Sequence, residues 1–206
     1  MRLTELTHQI LTDCLRSGDL AIDATAGNGH DTLKMASLVG QEGEVVAIDI
    51  QEAAITATRL HLQKSGCLDQ VRLVCDDHAA VLAGLSSRHR AQAAAITFNL
   101  GYLPGGDHQK ITTPETTVAA LKASLPLLKP AAPLLVTAYR GHPGGQAEAD
   151  AVAHWIPCLD PSQWSVACED PPARTDRRKP PILWTIRRRN DSCGTATTPG
   201  SHGAPS

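Results

Sequence analysis

The feature that most limits the fold of this chain is a regular alternation of short apolar runs with longer amphipathic segments. The apolar runs are residues 20–24, 44–48, 71–75, 93–98 and 133–138. Around them, apolar residues recur at helical spacing, which predicts helices over residues 3–17, 30–39, 52–64, 79–85, 114–128 and 146–155. Strands separated by helices form a parallel sheet that is covered on both faces. The sequence therefore predicts an α/β fold.

Two further strands are predicted near the C-terminus, at residues 164–168 and 182–186. No helical segment separates them, so we expect an antiparallel hairpin at the edge of a seven-stranded, mostly parallel sheet. Residues 1–189 are then a single domain. Residues 190–206 are small and polar, and we expect a disordered tail there.

The sequence carries no signal for membrane insertion or for a structural metal. No apolar run approaches the roughly 18 residues that a membrane-spanning helix requires, and residues 1–5 begin no signal-peptide core. Six cysteines are present but none forms a C-x-x-C pair. Neither a disulfide framework nor a zinc site is expected from that spacing. These observations predict a cytoplasmic protein without a membrane partner.

A glycine-containing turn, DATAGNGHDT, follows the first predicted strand at residues 23–32. Ligands of open α/β sheets lie beyond the carboxyl ends of the strands, and Gly27 and Gly29 let the backbone turn tightly there. A dinucleotide fingerprint would have a third glycine where Thr32 stands. Asp23 at the strand end would repel a phosphate. The segment favours a cationic ligand, with a plain tight turn as the alternative.

Acidic side chains also follow the second and third predicted strands. Asp49 can accept hydrogen bonds from two ribose hydroxyls. Asp77 and His78 follow the third strand, where His78 can meet an adenine edge or instead cap the next helix. An adenosine with a positively charged, phosphate-free tail satisfies these features. S-adenosylmethionine is such a ligand.

The fourth predicted strand runs into FNLGYLPGGDH, residues 98–108. Asn99-Leu100-Gly101-Tyr102 resembles the N-P-P-Y loop of methyltransferases that act on amino groups. An Asn side-chain oxygen can accept the N–H bonds of an amine and so orient its lone pair. A protonated amine must first lose a proton, and Asp107 is a candidate acceptor or else the cap of a turn. Tyr102 is a candidate pocket wall or base-stacking residue.

A second glycine-rich loop, YRGHPGG, follows the fifth predicted strand at residues 139–145. His142 is a candidate proton acceptor near neutral pH. Arg140 is a candidate ligand for a substrate phosphate. Structural roles for both residues stay open.

The C-terminal segment is basic although the formal net charge of the chain is -2. Residues 173–206 hold seven Lys and Arg side chains against two acidic ones, and residues 1–172 hold 12 against 19. The basic residues are Arg174, Arg177, Arg178, Lys179, Arg187, Arg188 and Arg189. Such a cluster can bind RNA phosphates or can be a solvated strand end.

Together, DATAGNGHDT, FNLGYLPGGDH, TTPETT and YRGHPGG resemble the family that has been labelled putative rRNA methylase. The resemblance runs from about residue 4 to residue 186. It implies a Rossmann-like, class I methyltransferase fold that uses S-adenosylmethionine. It also implies a homodimer and a transfer RNA substrate, recognised through its anticodon stem-loop. Characterised members methylate the amino group of 5-aminomethyl-2-thiouridine at the wobble position. The Arg-rich stretch at 174–179 departs from the Asn-containing stretch expected in relatives.

The residues at the predicted strand ends and the family resemblance together give three sets of candidate site residues. The expected cofactor contacts are Asp23, Thr25, Gly27, Asn28, Gly29, Asp49, Gln51, Asp77, His78 and Asn99. The expected catalytic residues are Asn99, Tyr102, Asp107 and His142. The expected substrate contacts are Leu100, Gly101, Arg140, Arg174 and Arg177.

Three other functions compete with this one. A methyltransferase of ribosomal RNA or of a small amine would use the same cofactor site. A nicotinamide-dependent oxidoreductase is disfavoured by Thr32 and Asp23. A non-catalytic RNA-binding module would account for the basic segment but not for the glycine turn and Asp49.

Overall fold

The structure, a computed structural model, describes residues 2–86, 88–101, 113–172 and 179–189. Within these ranges the strands are β1 Leu20–Asp23, β2 Glu44–Asp49, β3 Val71–Cys75, β4 Ala93–Leu100, β5 Pro133–Ala138, β6 Trp164–Glu169 and β7 Ile182–Arg188. The helices are α1 Leu3–Cys14, α2 His30–Val39, α3 Glu52–Lys64, α4 His78–Ser86, α5 Pro114–Ser124 and α6 Gly145–Trp155. The predictions for Tyr102, Asp107, Arg174, Arg177 and the tail at 190–206 lie outside the described residues.

The described strands form one seven-stranded sheet in the order β3-β2-β1-β4-β5-β7-β6. Strands β1 to β5 pair in parallel, and β7 pairs antiparallel with both β5 and β6. The predicted Rossmann-like sheet with an antiparallel C-terminal hairpin is therefore confirmed. The strand order reverses between β1 and β4, which is where ligands bind in such sheets.

Two apolar layers cover the two faces of the sheet. Alternate strand residues point to opposite faces, so neighbours in one strand enter different layers. Ile22 packs in a layer with Leu82 of α4 and Val152 of α6. The adjacent Ala21 packs in the other layer with Leu11 of α1 and Met35 of α2. Helices α4, α5 and α6 therefore cover one face, and α1, α2 and α3 cover the other.

Strand β4 extends two residues beyond the predicted end at residue 98. Asn99 and Leu100 pair with Thr137 and Ala138 of β5. Strand pairing uses backbone groups, so the polar side chain of Asn99 does not end the strand. The consequence for function is that Asn99 lies on a strand paired with β5 and not in the loop that follows.

Helix α5 ends at Ser124, four residues before the predicted end, and a 3-10 turn follows at Leu125–Leu127. Pro126 cannot donate the backbone hydrogen bond that an α-helix needs there. The predicted N-cap is confirmed, because the Thr116 N–H donates to Thr113 Oγ1 at 3.3 Å. Among the described residues, no helix combines the length and the apolar character required to cross a bilayer.

Candidate functional site

A cavity of about 550 Å³ opens at the carboxyl edge of the sheet, beside the ends of β1, β2, β4 and β5. Its size is in the range of small-molecule and cofactor sites. Ten residues expected at the site line it, namely Thr25, Gly27, Asn28, Asp49, Gln51, Asp77, His78, Asn99, Gly101 and His142. The structure therefore brings most of the described candidates together around one space.

The side chains that line this cavity make it acidic. Asp31, Asp49 and Asp77 line it, and no Lys or Arg does so among the described residues. A nicotinamide dinucleotide would bring a pyrophosphate to these carboxylates at an electrostatic cost. A cofactor with a cationic, phosphate-free tail is favoured by the same charges, so the residues present fit S-adenosylmethionine.

Asp49, at the end of β2, ties the glycine turn to the start of α3. The Gly27 N–H donates to Asp49 Oδ2 at 2.9 Å, and the Gln51 N–H donates to Oδ1 at 2.9 Å. A carboxylate oxygen accepts two hydrogen bonds, so each oxygen retains acceptor capacity. Asp49 can thus hold the turn in place and still receive ribose hydroxyls.

Gly29 has a packing role behind the cavity and does not line it. Its backbone has a φ of +79°. A Cβ at this position would lie 3.0 Å from Thr58 of α3. Thr58 Oγ1 in turn donates to the Gly27 carbonyl at 3.0 Å. Glycine at position 29 therefore lets α2 and α3 approach closely enough to shape the turn.

Asp23 does not line the cavity, in contrast to its expected contact with the cofactor. Its side chain is fully buried. Thr32 Oγ1 donates to Asp23 Oδ2 at 2.6 Å, while the Thr25 N–H and Thr97 Oγ1 reach Oδ1 at 3.3 and 3.4 Å. Asp23 thus joins β1, α2 and β4 beneath the site. Burial, reinforced by the nearby charge of Asp31, raises the pKa of Asp23 to about 7.

The raised pKa of Asp23 makes the stability of the fold dependent on pH. The folded state holds this proton more tightly than the unfolded chain, so stability falls as pH rises from about 4 to about 7. Asp23→Asn matches the protonated carboxyl, with Oδ1 accepting from Thr25 and Thr97 and Nδ2 facing Thr32. We expect the variant to exceed the wild type in unfolding free energy at pH 8.5, by on the order of a few kcal/mol.

Urea unfolding at pH 5 and pH 8.5 measures this effect. At pH 5 the difference between the two proteins should be clearly smaller than at pH 8.5, because less of the pH-dependent loss has occurred. Asp69→Asn is the matched control, because Asp69 is exposed in the loop before β3. Parallel pH dependence of stability in the wild type and Asp23→Asn would contradict the assignment.

Asp77 directly precedes α4 and His78 is its first residue, and the two side chains have separate roles. Asp77 Oδ1 accepts from the N–H groups of Ala79 and Ala80 at 2.8 and 3.1 Å, so Asp77 caps the helix. His78 is buried, and its ring meets Phe98 edge-on with centroids 5.6 Å apart. Burial lowers the pKa of His78, which favours a neutral ring beside the cofactor space. The cap predicted as an alternative for His78 therefore belongs to Asp77.

Asn99 belongs to a hydrogen-bonded group that joins three elements. Its Nδ2 donates to Asp31 Oδ2 at 2.7 Å. His8 Nε2 of α1 lies 2.7 Å from the other oxygen, Asp31 Oδ1. The Asn99 backbone N–H donates to Thr25 Oγ1 at 2.6 Å. Asp31 was not predicted from the sequence, although an acid in the first turn of a helix beyond β1 is a usable signal.

The loop after β5 supplies two cavity residues but not the expected phosphate ligand. Tyr139 and His142 line the cavity, and His142 Nδ1 lies 2.9 Å from the Pro143 carbonyl. Arg140 points elsewhere, because its Nε donates to the Pro180 carbonyl at 2.9 Å and its guanidinium pairs with Asp170. Arg140 therefore holds together the two ends of the segment between β6 and β7. These bonds give it a structural role.

Leu100, an expected substrate contact, and the arginines at the end of the chain's last strand lie away from the cavity. Leu100 is fully buried in the layer beneath α4, α5 and α6, so it does not face the cavity. The arginines of residues 187–189 lie at the opposite edge of the sheet, since Arg187 pairs with Pro133 at the start of β5. They donate to the carbonyls of Ala131, Leu128 and Pro161. Lys179, also in the described part of the basic segment, donates to Gln146 Oε1 of α6 at 3.0 Å.

Nine lining residues were not among the predicted site residues. They are Thr4, Ala24, Ala26, His30, Asp31, Ile50, Thr113, Thr116 and Tyr139. Ala24, Ala26, His30 and Ile50 are neighbours of predicted residues, so proximity in sequence was an available signal. Thr4, at the start of α1, had no such signal, because only the packing of α1 on α2 and β4 brings it to the site.

Solved structures with clear sequence similarity share this fold over their whole length. A structure described as a putative rRNA-methylase from Clostridium thermocellum has a TM-score of 0.83 and 34% identity, covering 91% of this chain and 98% of that one. A putative methyltransferase from Streptococcus mutans, solved in complex with SAH, has a TM-score of 0.79 and 33% identity over the same shares. The fold and the cavity thus define the class of a Rossmann-like, S-adenosylmethionine-dependent methyltransferase.

The sequence profile described as Putative rRNA methylase matches residues 45–187. The chain belongs to this family. A curated relative, the chloroplastic tRNA (mnm(5)s(2)U34)-methyltransferase of Arabidopsis thaliana, is 37% identical over 180 residues, or 82% of this chain. This chain spans 63% of the length of that relative.

Proposed function

We propose that this protein transfers a methyl group to the amino group of 5-aminomethyl-(2-thio)uridine at the wobble position of transfer RNA. The observation that carries the proposal is the orientation of the Asn99 amide. Asp31 accepts the hydrogen bond of Asn99 Nδ2 at 2.7 Å. An ionised carboxylate can only accept, so the NH₂ end of the amide must face Asp31.

This orientation reserves the Asn99 carbonyl oxygen as an acceptor. Asn99 lines the cavity, and its oxygen can accept an N–H bond of a substrate amine there. An amine held in this way presents its lone pair in a fixed direction, which is the main requirement for attack on a methyl carbon. A ring-carbon nucleophile has no N–H or O–H bond to donate and would not use an acceptor at this position.

S-adenosylmethionine supplies the activated methyl group in this reaction. The residues proposed to hold it are the glycine turn, Asp49 and Gln51, with His78 on the adenine side. Asn99, Asp31 and Tyr139 border the space left for the substrate. Tyr102 and Asp107, which follow Gly101 in the chain, remain candidate substrate residues.

The name of the Arabidopsis relative supports the choice of substrate, because it specifies a methyltransferase of a modified uridine in transfer RNA. We extend the proposal to the anticodon stem-loop as the recognised element, with Arg174 and Arg177 as candidate phosphate contacts. A homodimer and a cytoplasmic location stay predictions.

The proposal is tested with transfer RNA that carries 5-aminomethyl-2-thiouridine at the wobble position and with S-adenosylmethionine labelled in its methyl group. We expect label to enter the RNA and the modified nucleoside to gain the mass of one methylene group. The same RNA with an unmodified wobble uridine is the control. If folded, cofactor-binding protein left the aminomethyl nucleoside unlabelled, the substrate assignment would be excluded.

The second candidate function is methylation of ribosomal RNA or of a small-molecule amine. The family description names ribosomal RNA, and the Asn99 amide would suit any amine. Parallel assays with ribosomal RNA, transfer RNA and free aminomethyl uridine separate these substrates. Label in ribosomal RNA alone would favour the second function.

A further inference from the structure

We propose that Asp31 is the group that receives the proton of the substrate ammonium, and that His8 is the positioning residue that controls it. This inference deepens the proposed function and rests on it. The juxtaposition that carries it is the chain of contacts from α1 through α2 to β4. His8 contacts Asp31, and Asp31 contacts the residue that is proposed to hold the amine.

The burial of the two side chains places them in order from the cavity to the solvent. Asp31 lines the cavity, and its side chain is 11% exposed. His8 does not line the cavity and is 32% exposed. Thr4, one turn before His8 on the same face of α1, does line it. Helix α1 therefore contributes Thr4 to the cavity lining and places His8 in contact with Asp31.

An amine is an ammonium at neutral pH and has no lone pair until a proton leaves it. In the proposed step an N–H bond breaks, its electron pair stays on nitrogen, and the proton forms an O–H bond with Asp31. Asn99 Nδ2 and His8 Nε2 hold the two Asp31 oxygens at 2.7 Å each. These contacts fix the remaining acceptor positions of the carboxylate. The proton then passes from Asp31 to water, which restores the carboxylate for the next turnover.

The imidazole of His8 contacts Asp31 directly, so the charge on that ring affects the charge that Asp31 presents to the amine. Imidazole commonly changes charge between pH 5 and 8. A neutral His8 donates one hydrogen bond and leaves the full negative charge on Asp31, whereas an imidazolium neutralises that charge. Two other titratable groups of the described residues interact electrostatically with Asp31, namely Asp23 beneath the site and Tyr139 after β5. The Asp31 charge contributes to the raised pKa of both Asp23 and Tyr139.

His142 is the other described candidate for this proton, and the geometry favours Asp31. His142 Nδ1 lies 2.9 Å from the carbonyl of the next residue in its own loop. Asp31 is bonded directly to the amide that is proposed to hold the amine. The two assignments predict different results for His142→Gln, because its loss of kcat should be at least tenfold smaller than the loss in Asp31→Asn if Asp31 is the acceptor.

The test uses the full chain, S-adenosylmethionine and an anticodon stem-loop with an aminomethyl uridine, and it follows kcat from pH 5.5 to 9. Glutamine retains an N–H donor near the position of Nε2 but does not titrate. We therefore expect His8→Gln to keep the wild-type rate within about threefold at pH 8. Below neutral pH its rate should fall less steeply than that of the wild type. His8→Ala should lose about tenfold at pH 8, and His154→Gln, an exposed histidine of α6, should match the wild type throughout.

A binding measurement without cofactor tests Asp31 independently of turnover. The wild type should bind the aminomethyl stem-loop about tenfold more tightly than the same RNA with plain uridine, because a carboxylate faces the ammonium. Asp31→Asn is isosteric and should lose this preference together with at least 100-fold in kcat. Loss of turnover confined to His142→Gln, or identical pH profiles for His8→Gln and the wild type, would overturn the inference. No methylation of the aminomethyl RNA by the wild type would overturn the proposed function and this inference together.

Discussion

Asn99→Ala is expected to lower kcat for methyl transfer to the aminomethyl RNA by about 100- to 1,000-fold, with cofactor affinity retained within about threefold. Removing the amide removes the acceptor that aims the amine, and misplacement of a nucleophile has effects of this size. The variant should still fold, because the bond from the Asn99 backbone N–H to Thr25 Oγ1 does not depend on the side chain. Single-turnover kinetics and calorimetric titration of the cofactor provide the two measurements.

A second substitution at this position tests the orientation of the Asn99 amide separately from the size of the side chain. Asn99→Asp retains the shape but places an acceptor against Asp31 Oδ2, where the amide now donates. We expect a loss at least as large as that of Asn99→Ala. Gln92→Ala is the matched control, since Gln92 is an exposed amide just before the opposite end of β4. Equal loss of turnover and cofactor binding in Asn99→Ala would assign Asn99 to the cofactor or to folding.

Asp49→Ala is expected to weaken S-adenosylmethionine binding by about 100- to 10,000-fold. Hydrogen bonds to a charged group contribute about 1.5–3 kcal/mol each, and two ribose hydroxyls share this carboxylate in the proposed complex. Each 1.4 kcal/mol corresponds to a tenfold change in Kd. The substitution also removes the acceptor of the Gly27 and Gln51 N–H groups, so it loosens the turn as well.

A thermodynamic cycle that combines the protein variant with a ligand analogue separates the loss of the ribose contact from the loosening of the turn. The wild type should bind S-adenosylhomocysteine far more tightly than its analogue without ribose hydroxyls, and Asp49→Ala should bind the two alike. Melting temperatures of both proteins check folding, and Asp69→Ala, an exposed carboxylate before β3, serves as the control. If Asp49→Ala still distinguished the two ligands as the wild type does, the ribose would lie elsewhere.

The architecture was predictable from sequence because local signals agree with the fold. Helix α3 and strands β3 and β5 have the predicted bounds, with Ser65-Gly66 ending α3 and Pro133 beginning β5. One deviation, at the end of β4, occurs where a local signal is overridden. The polar residue Asn99 predicts the end of a strand, but β4 continues to Leu100 because its backbone pairs with β5.

The site was predictable only in part, for two physical reasons. A sequence shows which residues follow a strand but not which of them face inward. Asp23, Leu100 and Arg140 therefore looked like cavity residues, although they bond or pack elsewhere. The contributions of Thr4 and His8 depend on the docking of α1, which no local pattern reports.

The contacts of Asp31 also have a consequence for the order of folding. His8 and Asp31 are 23 residues apart in the chain, and Asp31 and Asn99 are 68 apart. Contacts over such separations close large loops, and the entropy of closure makes them slow to form. A chain emerging from the ribosome can form α1, β1 and α2 early, yet the proposed amine site cannot form until β4 has been synthesised and inserted beside β1. The complete site therefore forms late in folding, after the central strands of the sheet have paired.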